Sequence, residues 1–215
     1  MLEFTADMIE KALHKPLPGV KAQLRMAPRP GSMNPPTPQS TPRKSGVLIL
    51  LFPSEHTGEL CFVLTRRTES VADHKGQISL PGGAVDPDDP SIAHTAVREA
   101  CEEVGVCSDT MRILGSLTPI YIPPSDFCVH PYVAYMLQSP QFLPQPEEVA
   151  EILEVPLTYL LDKKNIVVEE WLLDDEVKQV PFFNVYGNKV WGATAVVLSE
   201  FAAILEDLLT EKGTD

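Results

Sequence analysis

Gly82-Gly83-Ala84-Val85-Asp86-Pro87-Asp88-Asp89-Pro90-Ser91-Ile92-Ala93-His94-Thr95-Ala96-Val97-Arg98-Glu99-Ala100-Cys101-Glu102-Glu103-Val104-Gly105-Val106 is the stretch on which the fold turns. A glycine pair leads into an acidic loop, and the loop into one amphipathic segment. Asp89 suits a helix N-cap, Pro90 the first helical position and Gly105 a C-terminal stop, so a helix is predicted over 91–104. On its helical wheel Glu99, Glu102 and Glu103 fall within an arc of about 100°, while Ala93, Val97, Ala100 and Val104 centre about 120° away. One face can therefore pack on a sheet while the adjoining face presents three acids to a cleft.

Three carboxylates so close together repel one another and weaken an isolated helix. A divalent cation removes that cost. Ligands that are all oxygen favour Mg²⁺, Mn²⁺ or Ca²⁺ over zinc. Magnesium keeps some of its waters and completes its shell with carboxylates and substrate phosphates, which suits diphosphate chemistry. Arg98 lies four residues before Glu102 and can hold that carboxylate in place.

Outward from this helix the chain reads as strands. Gly46–Phe52 and Leu60–Thr65 are short β-rich apolar runs separated by a turn signal at Thr57-Gly58, so they read as a hairpin. Further strands are expected at 111–118, 129–137, 148–156, 165–173 and 180–186, and a closing amphipathic helix at 193–209. At the N-terminal side, Phe4, Met8, Ile9 and Leu13 share a helical face. The segment 27–43 is dense in Pro, Ser and Thr and reads as a linker or wrapping arm. The expected organisation is thus an N-terminal helix and Pro-rich extension over residues 1–43, followed by one α+β domain over 44–215 in which helices pack on a mixed sheet.

Composition narrows the partners. The net charge is -13 and apolar residues make up 44% of 215, so a sizeable core is available and a nucleic acid polymer is an unsuitable partner. A small anionic substrate remains suitable, because a cation reverses the local field in one cleft. The longest apolar run, Val47–Pro53, is far shorter than the roughly 20 residues of a membrane span. The sequence therefore reads as a soluble cytoplasmic protein with no membrane partner and, at most, a second copy of itself in a homodimer. Cys61, Cys101, Cys107 and Cys128 lack zinc-site spacing and read as reduced thiols.

Arg98-Glu99-Ala100-Cys101-Glu102-Glu103-Val104-Gly105-Val106 matches REUxEExGU, the second half of the Nudix box, and on these residues the chain resembles the Nudix hydrolases. Upstream the pattern departs by one residue. The position that holds glutamate in the family is Pro90, and Asp86, Asp88 and Asp89 share the loop. Leu64-Thr65-Arg66-Arg67, then His74-Lys75-Gly76-Gln77-Ile78-Ser79-Leu80-Pro81-Gly82-Gly83, resembles the motif of coenzyme A pyrophosphatases. Trp191-Gly192-Ala193-Thr194-Ala195 resembles a segment near the end of bacterial members. The motif's arginine before xHxGQ is Ala72 here.

The resemblance covers about residues 44–205. It implies an α/β/α sandwich around a mixed sheet, and Mg²⁺ or Mn²⁺ held by Glu99, Glu102, Glu103 and the Gly83 carbonyl. It further implies Arg98 as their support and a more distant acid from Pro146–Glu151, with Glu148 favoured and Glu147 next. Arg66, Arg67, His74, Lys75 and Gln77 are the expected contacts to a small-molecule nucleotide substrate. The implied reaction is hydrolysis of a diphosphate linkage, in coenzyme A or acyl-CoA first. ADP-ribose or NADH is the alternative substrate, and a non-catalytic Nudix ligand-binding domain the alternative class.

Overall fold

The structure, a computed structural model, describes residues 4–28, 41–68, 76–107, 111–173 and 175–212. The proline-dense segment 29–40, together with Ala72, His74 and Lys75, lies outside the described residues.

Eight strands form the main sheet. Its spine runs β3 (Ile78–Ser79), β2 (Leu60–Arg67), β1 (Arg43–Pro53), β7 (Phe127–Met136) and β5 (Met111–Ser116). Three more attach to it: β4 (Gly82–Ala84) on β1, β6 (Ile120–Ile122) on β7, and β8 (Val149–Pro156) on β2. The predicted hairpin is present, with Leu51 opposite Phe62. β1 and β7 run parallel while their other neighbours run antiparallel, so the sheet is mixed. A second sheet of three strands contains β9 (Ile166–Leu173), β10 (Glu176–Val185) and β11 (Asn188–Val190).

Strand alternation sorts β1 into two cores. Leu48, Leu50 and Phe52 pack with Val63, Ala96, Ala100 and Val104, under helix α3 (Ile92–Val104). Ile49 and Leu51 face the other way, into the larger core beneath helix α4 (Gly192–Lys212). That core also takes in Ile9 and Leu13 of helix α1 (Ala6–Leu13), and Met26, which follows the short helix α2 (Val20–Gln23). The result is helix, mixed sheet, helix: the expected three-layer sandwich.

The segment read as an extension shares this core. Glu200, fully buried on α4, accepts from the Gly19 backbone N–H, from Gln23 Nε2 and from both the N–H and hydroxyl of Thr118. One carboxylate thus joins the N-terminal segment, the loop after β5 and the last helix. Among the described residues no helix is long and apolar enough to cross a membrane.

Two expectations need correction. Helix α3 is capped two residues later than predicted: Ser91, not Asp89, caps it, accepting from His94 N at 3.1 Å. Cys101 and Cys107 are not free thiols but a disulfide, their Cα atoms 4.5 Å apart. Gly105 stops the helix in the left-handed conformation and folds the chain back, so residues six apart meet. Cys61 and Cys128 are free.

Candidate active site

β4 lies along β1 with Gly83 opposite Gly46 and Gly82 opposite Val47. The approach is so close that only glycine fits. A Cβ on Gly82, whose φ is +153°, would sit 2.4 Å from the Gly46 carbonyl. A Cβ on Gly83 would sit 2.4 Å from the Glu99 carboxylate. The predicted metal ligands Gly83 and Glu99 are therefore in direct contact, and the glycine pair is the seat of the acidic helix.

The three helix acids differ in environment. Glu102 is 57% exposed and is held by Arg98 Nη1 at 2.9 Å. Glu99 is mostly covered, and Arg98 Nη1 reaches it as well, at 2.9 Å. Glu103 is only 4% exposed, facing the sheet rather than an open cleft. Its carboxylate accepts the Gly82 N–H, yet its buried Oε2 has no hydrogen-bond partner among the described residues. Burial pushes the Glu103 acid up to about 8; Arg67 and the Gly82 N–H oppose this, and Glu99 and Glu148 reinforce it. Glu99 is also raised, first by burial and then by Glu102 and Glu148, against the pull of Arg98.

What holds the acids in register is a residue that sequence reasoning assigned elsewhere. Asp89 accepts Arg98 Nε and Nη2 at 3.1 Å each, Thr95 Oγ1 at 2.8 Å and the Asp86 N–H at 2.9 Å; His94 Nδ1 is 2.9 Å away. Its side chain is 2% exposed, and Arg98 foremost holds it well below the usual carboxylate range. Arg98 Nη2 also donates to the Ala84 carbonyl at 3.2 Å. Asp89 and Arg98 therefore lock the loop to the helix. The signal for this was present in the three loop aspartates, but spacing alone did not single one out.

The cations read as substrate contacts separate. Arg67 lies near enough to Glu103 to act on its charge, and its buried Nε has no partner among the described residues. Its backbone N–H donates to the Gln77 carbonyl at 3.0 Å, which brings Gln77 beside it. Arg66 is held instead by Glu151, from Nη2 at 2.6 Å, and by Asn188 at 2.8 Å. Successive strand residues point to opposite faces, which is why the two arginines part. Glu148 is exposed, its carbonyl accepting the Thr68 N–H at 2.9 Å, and its charge acts on both Glu99 and Glu103. The neighbouring Glu147 N–H donates to Gln145 Oε1 at 2.7 Å. Trp191 packs edge-on against Trp171, ring centroids 5.1 Å apart.

With Glu102 drawn onto Arg98, no three Asp, Glu, His or Cys side chains converge on one point among the described residues. The donor set nonetheless fits a hard divalent cation. Every donor is oxygen, and the unpartnered Glu103 Oε2 is an atom that such a cation would satisfy.

Residues 42–174 match the family model described as NUDIX domain. The chain is 37% identical over 149 residues to the uncharacterized Nudix hydrolase NudL of Pectobacterium atrosepticum, covering 67% of this chain and 75% of that protein. It is 33% identical over 164 residues to the protein of the same description from Yersinia pestis, covering 76% and 80%. In structure it resembles a C. elegans Ap4A hydrolase, solved as a binary complex, with a TM-score of 0.51 and 15% identity over 77% of this chain and 98% of that one. The chain belongs to the Nudix family. It is a Nudix pyrophosphohydrolase, an enzyme of the class that hydrolyses nucleoside diphosphate derivatives.

Proposed function

We propose that this enzyme hydrolyses coenzyme A or an acyl-CoA to 3',5'-ADP and phosphopantetheine or its acyl form, with Mg²⁺ or Mn²⁺ as cofactor. One observation carries the substrate reading: the run His74-Lys75-Gly76-Gln77-Ile78-Ser79-Leu80-Pro81-Gly82-Gly83, like that of coenzyme A pyrophosphatases, ends in the glycine pair on which Glu99 and Glu103 rest. Glu99, Glu102, Glu103 and the Gly83 carbonyl would hold the cation, which supplies charge neutralisation at the diphosphate and a more acidic water.

The chain's own residues do the rest. Arg67, whose buried Nε has no partner among the described residues, donates to a phosphate oxygen, a charge-assisted contact worth about 1.5–3 kcal/mol. Asp89 fixes Arg98, and Arg98 keeps Glu102 and Glu99 oriented. Glu148 removes a proton from the attacking water. The new oxygen–phosphorus bond forms as the bridging one breaks, and the leaving phosphate oxygen departs with the electron pair. His74 and Lys75 are the further contacts expected on the substrate side, and the acidic chain works as a cytoplasmic enzyme on a small molecule.

Ala72, at the motif's arginine position, favours a second reading in which ADP-ribose or NADH is the substrate. The two are separated by kcat/KM for coenzyme A, 3'-dephospho-coenzyme A and ADP-ribose with Mg²⁺ and with Mn²⁺, products identified, and Arg67→Ala alongside. Coenzyme A is expected to lead. If dephospho-coenzyme A equalled it and ADP-ribose exceeded both, the coenzyme A reading would be lost.

A further inference from the structure

The disulfide Cys101–Cys107 stands at the end of the acid-bearing helix, and the segment packed against that end carries Glu148. Helix α3 stops at Val104, so its last carbonyls have no acceptor role within the helix. The chain that follows β7 uses them instead. Leu143 N–H donates to the Val104 carbonyl and Gln145 N–H to the Glu103 carbonyl, each at 2.9 Å. Gly105 is pressed against the same segment: a Cβ there would stand 2.7 Å from Leu143 Cβ. From Gln145 the order passes forward. Its carbonyl accepts the Glu148 N–H at 3.1 Å and the Val149 N–H at 2.8 Å, and its Oε1 accepts the Glu147 N–H. Residues 143–149 are thus hung on the last turn of α3, and the disulfide ties that turn. It joins Cys101, inside the helix, to Cys107, beyond the back-turn at Gly105 on which Leu143 rests. Cys101 is partly covered and Cys107 is exposed, so the bond can be reached from solvent at its Cys107 end.

We infer that Cys101–Cys107 is a thiol–disulfide exchange site whose redox state sets the order of residues 143–149, and with it the placement of Glu148. Its co-reactant is a dithiol. A thiolate of the dithiol attacks Cys107 Sγ, the sulfur–sulfur bond breaks, and Cys101 Sγ leaves with the electron pair and takes up a proton. The second thiol of the reductant then attacks the mixed disulfide and releases Cys107 as a thiol. Two electrons and two protons pass to the protein, and the reductant ends as its own disulfide. A small-molecule disulfide drives the reverse. In the reduced form the Gly105 turn is no longer tied back to the helix, and the support beneath Leu143 and Gln145 slackens. The effect on turnover rests on the reading of Glu148 as the base; the effect on the order of the segment does not.

The full chain is compared after oxidised glutathione and after dithiothreitol, each form desalted in degassed buffer before measurement. Alkylation under denaturing conditions, read by mass, should add two groups to the oxidised chain, at Cys61 and Cys128, and four to the reduced one. Amide exchange over 143–149 should quicken about tenfold or more on reduction while β1 and β7 stay protected. With Mg²⁺, kcat should fall about tenfold with KM little changed, and should recover on reoxidation. Turnover is read on acetyl-CoA, or on ADP-ribose should the coenzyme A reading fail, since neither brings a free thiol. Cys101→Ser/Cys107→Ser should hold the reduced values under both treatments, and Cys128→Ser should respond as wild type does. Should the double variant not fold, the wild-type cycle of reduction and reoxidation still decides. Equal amide exchange over 143–149 in the two forms overturns the inference, as do four alkyl groups on the oxidised chain. If exchange differs and kcat does not, Glu148→Gln separates the causes. A slow variant overturns the link from the disulfide to Glu148; a fast one overturns Glu148 as the base.

Discussion

Replacing Glu103 by Gln should separate stability from activity in this enzyme, and the structure gives the size of the effect. The folded protein holds the Glu103 acid at about 8, against an ordinary 4.5. That difference of 3.5 (8 − 4.5), at about 1.4 kcal/mol per unit, is on the order of 5 kcal/mol. The folded state binds this proton more tightly than the unfolded chain does. The stabilisation is therefore complete below about pH 4.5 and is lost as pH rises to about 8. Metal-free wild type should lose stability across that window, by up to about 10–20 °C in melting temperature for a chain of this length.

Glu103→Gln keeps the shape and the acceptor for the Gly82 N–H but has no proton to lose. Its melting profile should lack this loss through the same window, so that above about pH 7 the metal-free variant melts higher than metal-free wild type. Subtracting the two profiles cancels the titrations of Glu99, Asp89 and the rest. Millimolar Mg²⁺ or Mn²⁺ should restore wild type at high pH, since a cation binds the ionised form, and should leave the variant unmoved or nearly so. Turnover of the variant should fall by several orders of magnitude. The assay is thermal melting in chelator between about pH 5 and 9, repeated with metal, beside steady-state turnover. A difference profile that is flat with pH, or near wild-type turnover in Glu103→Gln, refutes the reasoning.

Four shorter predictions follow from the same contacts. Asp89→Asn removes the charge that fixes Arg98, so kcat/KM should fall about tenfold or more with metal affinity reduced, read by steady-state kinetics and metal titration. Gly83→Ala drives a Cβ to 2.4 Å from the Glu99 carboxylate; metal-induced thermal stabilisation should disappear in melting curves while the fold persists. Glu200→Ala strands four donors in the core and should cost about 3 kcal/mol or more in urea unfolding, releasing the segment before β1 to proteolysis first. Cys107→Ser should melt about 5 °C below oxidised wild type, from a loss of about 2 kcal/mol, and level with wild type in reductant.

Much of this was legible from the chain alone because periodicity is a local property. The β-rich apolar run Gly46–Phe52, the helical spacing through Val104 and the stop at Gly105 each name an element without knowledge of its neighbours. Register and rotation are not local. The wheel groups Glu99, Glu102 and Glu103 in one arc but leaves free how far the helix is turned about its axis. That rotation is set by Gly46, whose bare α-carbon lets Ile92 and Ala96 of the helix approach, and it takes Glu103 under cover while leaving Glu102 in water. The parting of Arg66 from Arg67, and the disulfide formed by the back-turn at Gly105, likewise depend on where the chain returns in space.

The displaced loop acid shows how a departure from a motif can preserve its physics. The family spacing would set a glutamate at position 90, where this chain has proline. Asp89 instead stands one residue further from Arg98, with a side chain shorter by one methylene. In this chain the helix begins after that position: Ser91 takes the cap, and Asp89 is freed from capping to meet both Nε and Nη2 of Arg98. Thr95 Oγ1, one turn into the helix, then closes the carboxylate's remaining side. The constraint is thus a charge at the right point in space rather than a residue at a fixed offset, and loop length and side-chain length trade against each other to meet it.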